Sequence, residues 1–118
     1  MIEGIGVDIV AIERIKKMYE KFGRKFLERL FTEKEINYSF NHSNPFPHLA
    51  ARFAAKEAII KALKKPDGLN LKDIEIINSS DGSPVVKIGK IYNKKIFLSI
   101  SHEKTHTVAL ALVVDVKS

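Results

Sequence analysis

The chain opens on an alternation. Ile5, Val7 and Ile9 occupy one parity and Gly4, Gly6 and Asp8 the other, which is the period of a strand. Asp8 therefore shares a face with two glycines, a place where something can approach the backbone closely. The period then lengthens: Ile12, Ile15, Tyr19 and Phe22 form an apolar helical stripe, and Gly23 is placed as its C′ stop. A short helix over about 24–31 follows, and Thr32 with Glu35 makes a capping box for a third helix that runs to about Phe40. The segment NHSNPFPH, 41–48, reads as loop; it feeds a long helix over about 48–64, which Pro66, Asp67 and Gly68 end. Alternation then returns, with strands at about 72–78, 84–89, 96–101 and 107–115. Asp81-Gly82 is a strong hairpin signal between the first two, and Asn93-Lys94 a weaker one before the third. Strand, helices, then a run of strands predicts one α+β domain over 1–118: a mostly antiparallel sheet packed against a long central helix and shorter N-terminal helices.

One position in the long helix breaks its pattern. At ~100° per residue with Phe53 as zero, Leu49, Ile60 and Leu63 fall at roughly −40°, −20° and −80°, and Glu57 falls beside them at roughly +40°. An unpaired carboxylate costs several kcal/mol to bury, so such a group is neutralised, paired or bound to a cation. Lys56 and Lys64 share the apolar arc, but their long stems are expected to snorkel out to solvent. On pattern alone, the plainer expectation is that Glu57 sits at the core's edge and makes an i,i+4 ion pair with Lys61.

Composition narrows the classes. At 118 residues the chain can bury roughly 65% of its unfolded surface without covalent staples. It has no cysteine, which excludes disulfides and thiolate metal sites and is compatible with a reducing cytosol. The longest apolar run, Val108 to Val114, is too short to span a bilayer, and no basic region followed by an apolar one marks the start. A cytoplasmic protein without membrane contact is expected. The net charge of +6 favours anionic partners, whether nucleic acid, phosphorylated small molecules or an acidic protein. Much of it sits at Arg14, Lys16, Lys17, Lys21, Arg24 and Lys25, diluted only by Glu13 and Glu20; a solvated helix face is the plain explanation.

Most chemistries find no foothold. His102 and His106 have the spacing of half a zinc site, but no cysteine completes it. Ser99 and Ser101 lie in a strand pattern without a nucleophile elbow, and no Walker A loop or dinucleotide fingerprint is present. Asp8 and Glu57 remain. A strand carboxylate meeting a helix carboxylate suits Mg²⁺, which takes one or two such ligands and completes its octahedron with water and phosphate oxygens. Lys61, one turn beyond Glu57, is placed to reach a phosphate held there.

Phe53-Ala54-Ala55-Lys56-Glu57-Ala58-Ile59-Ile60-Lys61 resembles the signature F/W-small-x-K-E-A/S-x-x-K of the phosphopantetheinyl transferase superfamily, and Gly6-Val7-Asp8 resembles its other signature, G-small apolar-D. The two together are specific. GIGVDIVAIERI, FGRKFLERLFTEKE, LAARFAAKEA, KDIEI, the turn at 82–84 and SISHEKTHTVALAL follow in the order of the short members, the holo-acyl-carrier-protein synthases, over essentially the whole chain. The resemblance implies transfer of 4′-phosphopantetheine from coenzyme A to a serine of apo acyl carrier protein, releasing adenosine bisphosphate. It implies that Asp8 and Glu57 hold Mg²⁺ and that Lys61 contacts the reacting phosphate, with the general base open between Glu57 and a metal-bound water. It further implies that Arg52 and His102 contact the coenzyme's phosphates and that Gly82, Ser83 and Pro84 lie near its adenine. The basic helix then gains a purpose: Arg14, Lys17 and Lys21 would steer an acidic carrier protein to the site, Arg14 foremost.

The resemblance also implies a homotrimer with sites at subunit interfaces, and the final strand, apolar on both faces over much of its length, needs cover from somewhere. Two departures stand out. Where relatives place a Gly-Thr-Gly loop, this chain has Lys64-Lys65-Pro66-Asp67-Gly68, and the stretch between Lys87 and Ile96 is short. The rival readings are a basic module for RNA or another polyanion, which lacks an evident aromatic stacking platform, and a metal-dependent phosphodiesterase, which normally needs more carboxylates.

Overall fold

The computed structural model describes residues 1–88 and 94–116. The chain runs β1 (Ile2–Ala11), α1 (Ile12–Phe22), α2 (Arg24–Leu30), α3 (Glu33–Phe40), α4 (Phe46–Ala62), a single 3₁₀ turn (Leu71–Asp73), β2 (Ile74–Asn78), β3 (Pro84–Ile88), β4 (Lys94–His102) and β5 (His106–Asp115). The α+β expectation holds, but the strands form two sheets: β1-β5-β4 and the hairpin β2-β3, every pair antiparallel. Asn93 of the weaker turn signal, and most of the short stretch after Lys87, lie outside the described residues.

Local chemistry sets the boundaries. Gly23, at φ 69°, closes α1 by donating to Tyr19 O at 2.7 Å. The capping box forms in full: Glu35 N–H donates to Thr32 Oγ1, and Thr32 N–H to Glu35 Oε1 at 2.8 Å. Helix α4 begins two residues before the expected start because Pro45 and Pro47 fall at its N-terminal end, where a missing N–H leaves no bond unmade. It ends two residues early because Lys64 and Lys65 adopt φ 63° and 51°. Lys64 N–H then reaches Lys61 O and Lys65 N–H reaches Ile60 O, a Schellman closure in which a lysine takes the place glycine ordinarily holds.

The two glycines of β1 explain how the layers meet. A Cβ on Gly4 would lie 1.8 Å from Ala62 O, and one on Gly6 would lie 2.1 Å from Ala58 O. What approaches the strand is therefore α4, through its buried stripe Ala50, Ala54, Ala58 and Ala62. Ala109, Ala111 and Val113 of β5 complete the inner face. The opposite face of the same sheet is bare: Ile5, Val7 and Ile9 are 63%, 55% and 61% exposed, with Phe97 and Leu110 beside them. Phe22 is also exposed, so the α1 stripe ends at Tyr19. Among the described residues no helix is long and apolar enough to cross a membrane.

Lys56 corrects the snorkelling expectation. It is fully buried, donating to Leu30 O at 2.7 Å and to Glu35 Oε1 at 2.5 Å. Glu35, equally buried, also accepts from Ile76 N–H at 2.8 Å. The pair fastens α3, α4 and β2 together, and a ready acceptor across the interface keeps the ammonium inside.

Candidate active site

Two clusters form along α4. The first follows from the close approach to β1. A Cβ on Gly6 would also stand 2.9 Å from the Lys61 Cβ. Two residues further along β1 is about 6.6 Å and four residues back along α4 is about 6 Å, so the register sets Asp8 beside the turn bearing Glu57. Lys61 Nζ bridges the elements, donating to Val7 O at 3.0 Å and to Asp8 Oδ1 at 3.3 Å. The expected Glu57–Lys61 pair does not form. The strand offers the ammonium two acceptors at once, and half-buried Glu57 makes no hydrogen bond or ion pair among the described residues.

Among the described residues no group of three or more His, Asp or Glu forms that could hold a metal. Two carboxylates from facing elements suit a hard cation that draws its remaining oxygens from water or a phosphorylated ligand, so the donor set fits Mg²⁺.

The second cluster faces β2 and β3 across a cleft of about 410 Å³ lined by Tyr38, His48, Arg52, Asn78, Gly82, Pro84 and His102, among others. Arg52 is only 5% exposed. It donates from Nε to Ile76 O at 3.2 Å, from Nη1 to His48 O at 3.4 Å and from Nη2 to Asn78 Oδ1 at 2.6 Å, while the Tyr38 ring covers it at 4.3 Å. All of these partners are neutral. His48 stacks on His42 with centroids 3.8 Å apart. Burial, then the charges of His42, Arg52 and His102, hold His48 below its ordinary pKa. Gly82, at φ 89°, makes the turn into β3. Ser83 serves that turn rather than the cleft lining: its Oγ and N–H donate to Asp81 Oδ1, and with Ser79 they hold the Asp81 carboxyl down at about 2.

Arg14, Lys17 and Arg24 are exposed, as is Lys21. Arg14 lies 5.8 Å over the Phe53 ring. Phe53, Glu57 and Lys61 recur at i,i+4 along α4, so this contact sets the basic face of α1 beside the first cluster. Tyr38, His48 and Asn78 went unmarked in the linear pattern. Tyr38 and Asn78 are ordinary helix and strand residues until Arg52 meets them, and His48, one turn before Arg52 on α4, is an ordinary helix residue until it stacks on His42, so no motif marks any of the three.

Residues 4–113 match the family described as the 4′-phosphopantetheinyl transferase superfamily. A protein of Thermodesulfovibrio yellowstonii called holo-[acyl-carrier-protein] synthase is 70% identical over 113 residues, covering 96% of this chain and 99% of its own. Its namesake in Carboxydothermus hydrogenoformans is 45% identical, covering 92% and 94%. Among solved structures, the holo-(acyl-carrier-protein) synthase of Bacillus anthracis in complex with CoA (3′,5′-ADP) superposes with a TM-score of 0.88 at 36% identity, covering 98% of each chain. The Helicobacter pylori synthase in complex with coenzyme A gives 0.83 at 35% identity, covering 93% of this chain and 99% of that one.

Proposed function

The chain belongs to the 4′-phosphopantetheinyl transferase superfamily, among the holo-acyl-carrier-protein synthases, and from that premise we propose that it moves 4′-phosphopantetheine from coenzyme A to a serine of an acidic apo acyl carrier protein. In the step, the serine oxygen forms a bond to the pantetheine-side phosphorus. The phosphoanhydride bond breaks, and adenosine 3′,5′-bisphosphate leaves with the bridging oxygen. The serine proton passes to Glu57 or to water.

The observation that carries this reading is the meeting of Lys61 with Asp8, beside the Glu57 turn, on the helix whose other side presents a buried arginine that has no carboxylate partner among the described residues. Asp8 and Glu57 would hold Mg²⁺, which when bound offsets charge on the pyrophosphate and helps fix in-line geometry. Lys61 turns from Asp8 to the transferred phosphate, a charge-assisted contact. Arg52 and His102 bind the coenzyme's phosphates, and the Gly82-Ser83-Pro84 turn lies by its adenine. Arg14, with Lys17 and Lys21 on the same α1 face, receives the acidic carrier and sets its approach.

The bare sheet face carries Ile5, Val7, Ile9, Phe97 and Leu110. So large an apolar surface on three adjacent strands marks an interface. Three copies meeting through it form the homotrimer, with the sites at the subunit boundaries. Light scattering reads this directly, and a monomer at working concentration refutes it. The phosphodiesterase alternative is disfavoured by its need for a two-ion site, which two carboxylates serve poorly.

The decisive experiment is intact-mass spectrometry of apo acyl carrier protein incubated with the protein, coenzyme A and Mg²⁺. A phosphopantetheine mass gain is expected. No gain, under conditions where a known transferase succeeds, overturns the reading.

A further inference from the structure

Arg52 differs from every other buried charge on its helix. Lys56 has Glu35; Arg52 forms no ion pair among the described residues. The Glu35 charge offsets part of the cost of burying Arg52, but that carboxylate is already committed to Lys56. A guanidinium has five N–H groups, and Ile76 O, His48 O and Asn78 Oδ1 engage three. A buried cation held only by neutral acceptors is costly unless a ligand supplies the anion.

Asn78 makes the shortest of the three bonds, and its own Nδ2 donates to Gly82 O at 2.9 Å. It therefore ties the arginine to the turn that forms the facing wall of the cleft. An aspartate in its place would be nearly isosteric and a stronger acceptor, but it would cancel the charge. A neutral side chain at this spot orients the guanidinium without neutralising it.

We propose that Asn78 is a positioning residue: its amide aims the Arg52 guanidinium into the cleft and couples it to the Gly82 turn, while leaving the full positive charge for a phosphate of the co-substrate. This rests on the reading of the cleft as the coenzyme site.

The test compares native protein with Asn78→Ala and Asn78→Asp. Asn78 is exposed at the end of β2, so neither substitution disturbs the core. Adenosine 3′,5′-bisphosphate is the calorimetric probe, with transfer kinetics run alongside. Asn78→Ala weakens binding about threefold by loosening the arginine, and Asn78→Asp about thirtyfold by neutralising it. KM for coenzyme A rises in the same ratios, whereas kcat and KM for the apo carrier stay put. The ¹⁵N resonances of the Arg52 guanidinium shift when the bisphosphate is added to native protein and stay still in Asn78→Asp.

Equal losses in the two variants would leave only the tie to the turn and overturn the proposal. So would an Asn78→Asp protein that binds weakly while its Arg52 resonances still respond, because the new carboxylate would then be repelling the ligand directly. If native protein binds the bisphosphate but modifies no carrier, the transferase reading falls while the Asn78 result is still read from binding. If it transfers but the two variants bind like native, the inference about Asn78 falls alone.

Discussion

Two lysines five residues apart on α4 both meet carboxylates, and they do opposite things. Lys56 and Glu35 are wholly buried side chains, and the glutamate also accepts from two backbone N–H groups. Lys61 and Asp8 are 45% and 19% exposed, at a looser 3.3 Å. The first pair leaves no room for a third party. In the second, each member is open enough to exchange its partner; in the proposed reaction Asp8 takes a cation and Lys61 a phosphate. Saturated contacts hold a fold together, and a reaction needs contacts that can be given up.

The contrast can be broken from the buried side first. Lys56→Met strands the Glu35 carboxylate inside and is expected to cost about 3–5 kcal/mol in chemical denaturation, a large share of a domain's stability. Adding Glu35→Leu should restore part of that loss, since an apolar pair is tolerated where half an ion pair is not. Full recovery is not expected, because Thr32 and Ile76 lose their acceptor. If Lys56→Met melts like native protein, the pair does not fasten α3, α4 and β2 together.

Lys61→Ala sharpens the other side. Stability should change by less than about 1 kcal/mol, as for a partly exposed pair, while kcat falls about 10²–10³-fold, as when a charge-stabilising donor is removed. Asp8→Ala and Glu57→Ala should likewise fold and fail to transfer. A Lys61→Ala enzyme of near-native rate would return that lysine to a merely structural part.

A smaller effect belongs to His48, next to the third cation of the helix. Its folded pKa lies below the ordinary value, through burial first and neighbouring positive charge second. The unfolded chain therefore binds more protons, and stability should rise with pH through the window that ends near the unfolded value of about 6.5 and fall as pH drops below it. Denaturation at pH 7 and pH 5.5 should show this slope, flattened in His48→Gln. The smallest change is expected at Thr107, whose buried Oγ1 has no hydrogen-bond partner among the described residues. Thr107→Val should raise stability by about 1 kcal/mol, and a loss there would mean that the hydroxyl has found a partner.

Features set by neighbours in sequence were legible. The Thr32 box, the Gly23 stop, the Asp81-Gly82 turn and the glycine face of β1 each appear where their residues put them. Glu57 could be singled out because it interrupts an apolar pattern, and Asp8 and Lys61 because together with it they match two signatures. The errors concern partners. Lys56 and Glu57 both fall on the apolar arc, and the pattern set Glu57 at the core's edge paired with Lys61 and let Lys56 escape to solvent; Glu57 does sit half-buried but forms no such pair among the described residues, and Lys56 is buried because Glu35, twenty-one residues away, comes to meet it. The alternation of Ile5, Val7 and Ile9 marked a strand but could not say that the glycine side, not the apolar side, would face this chain's own helix.

The sequence by itself determined the elements, their caps and the class of chemistry, because periodicity, turn geometry and short signatures depend on residues close along the chain. Only the tertiary structure decided that the strands divide into two sheets, that Lys61 leans on Asp8 rather than Glu57, and that Tyr38 and Asn78 gather around Arg52. Those outcomes turn on which acceptors and surfaces arrive from distant segments, and no local pattern encodes the competition among them.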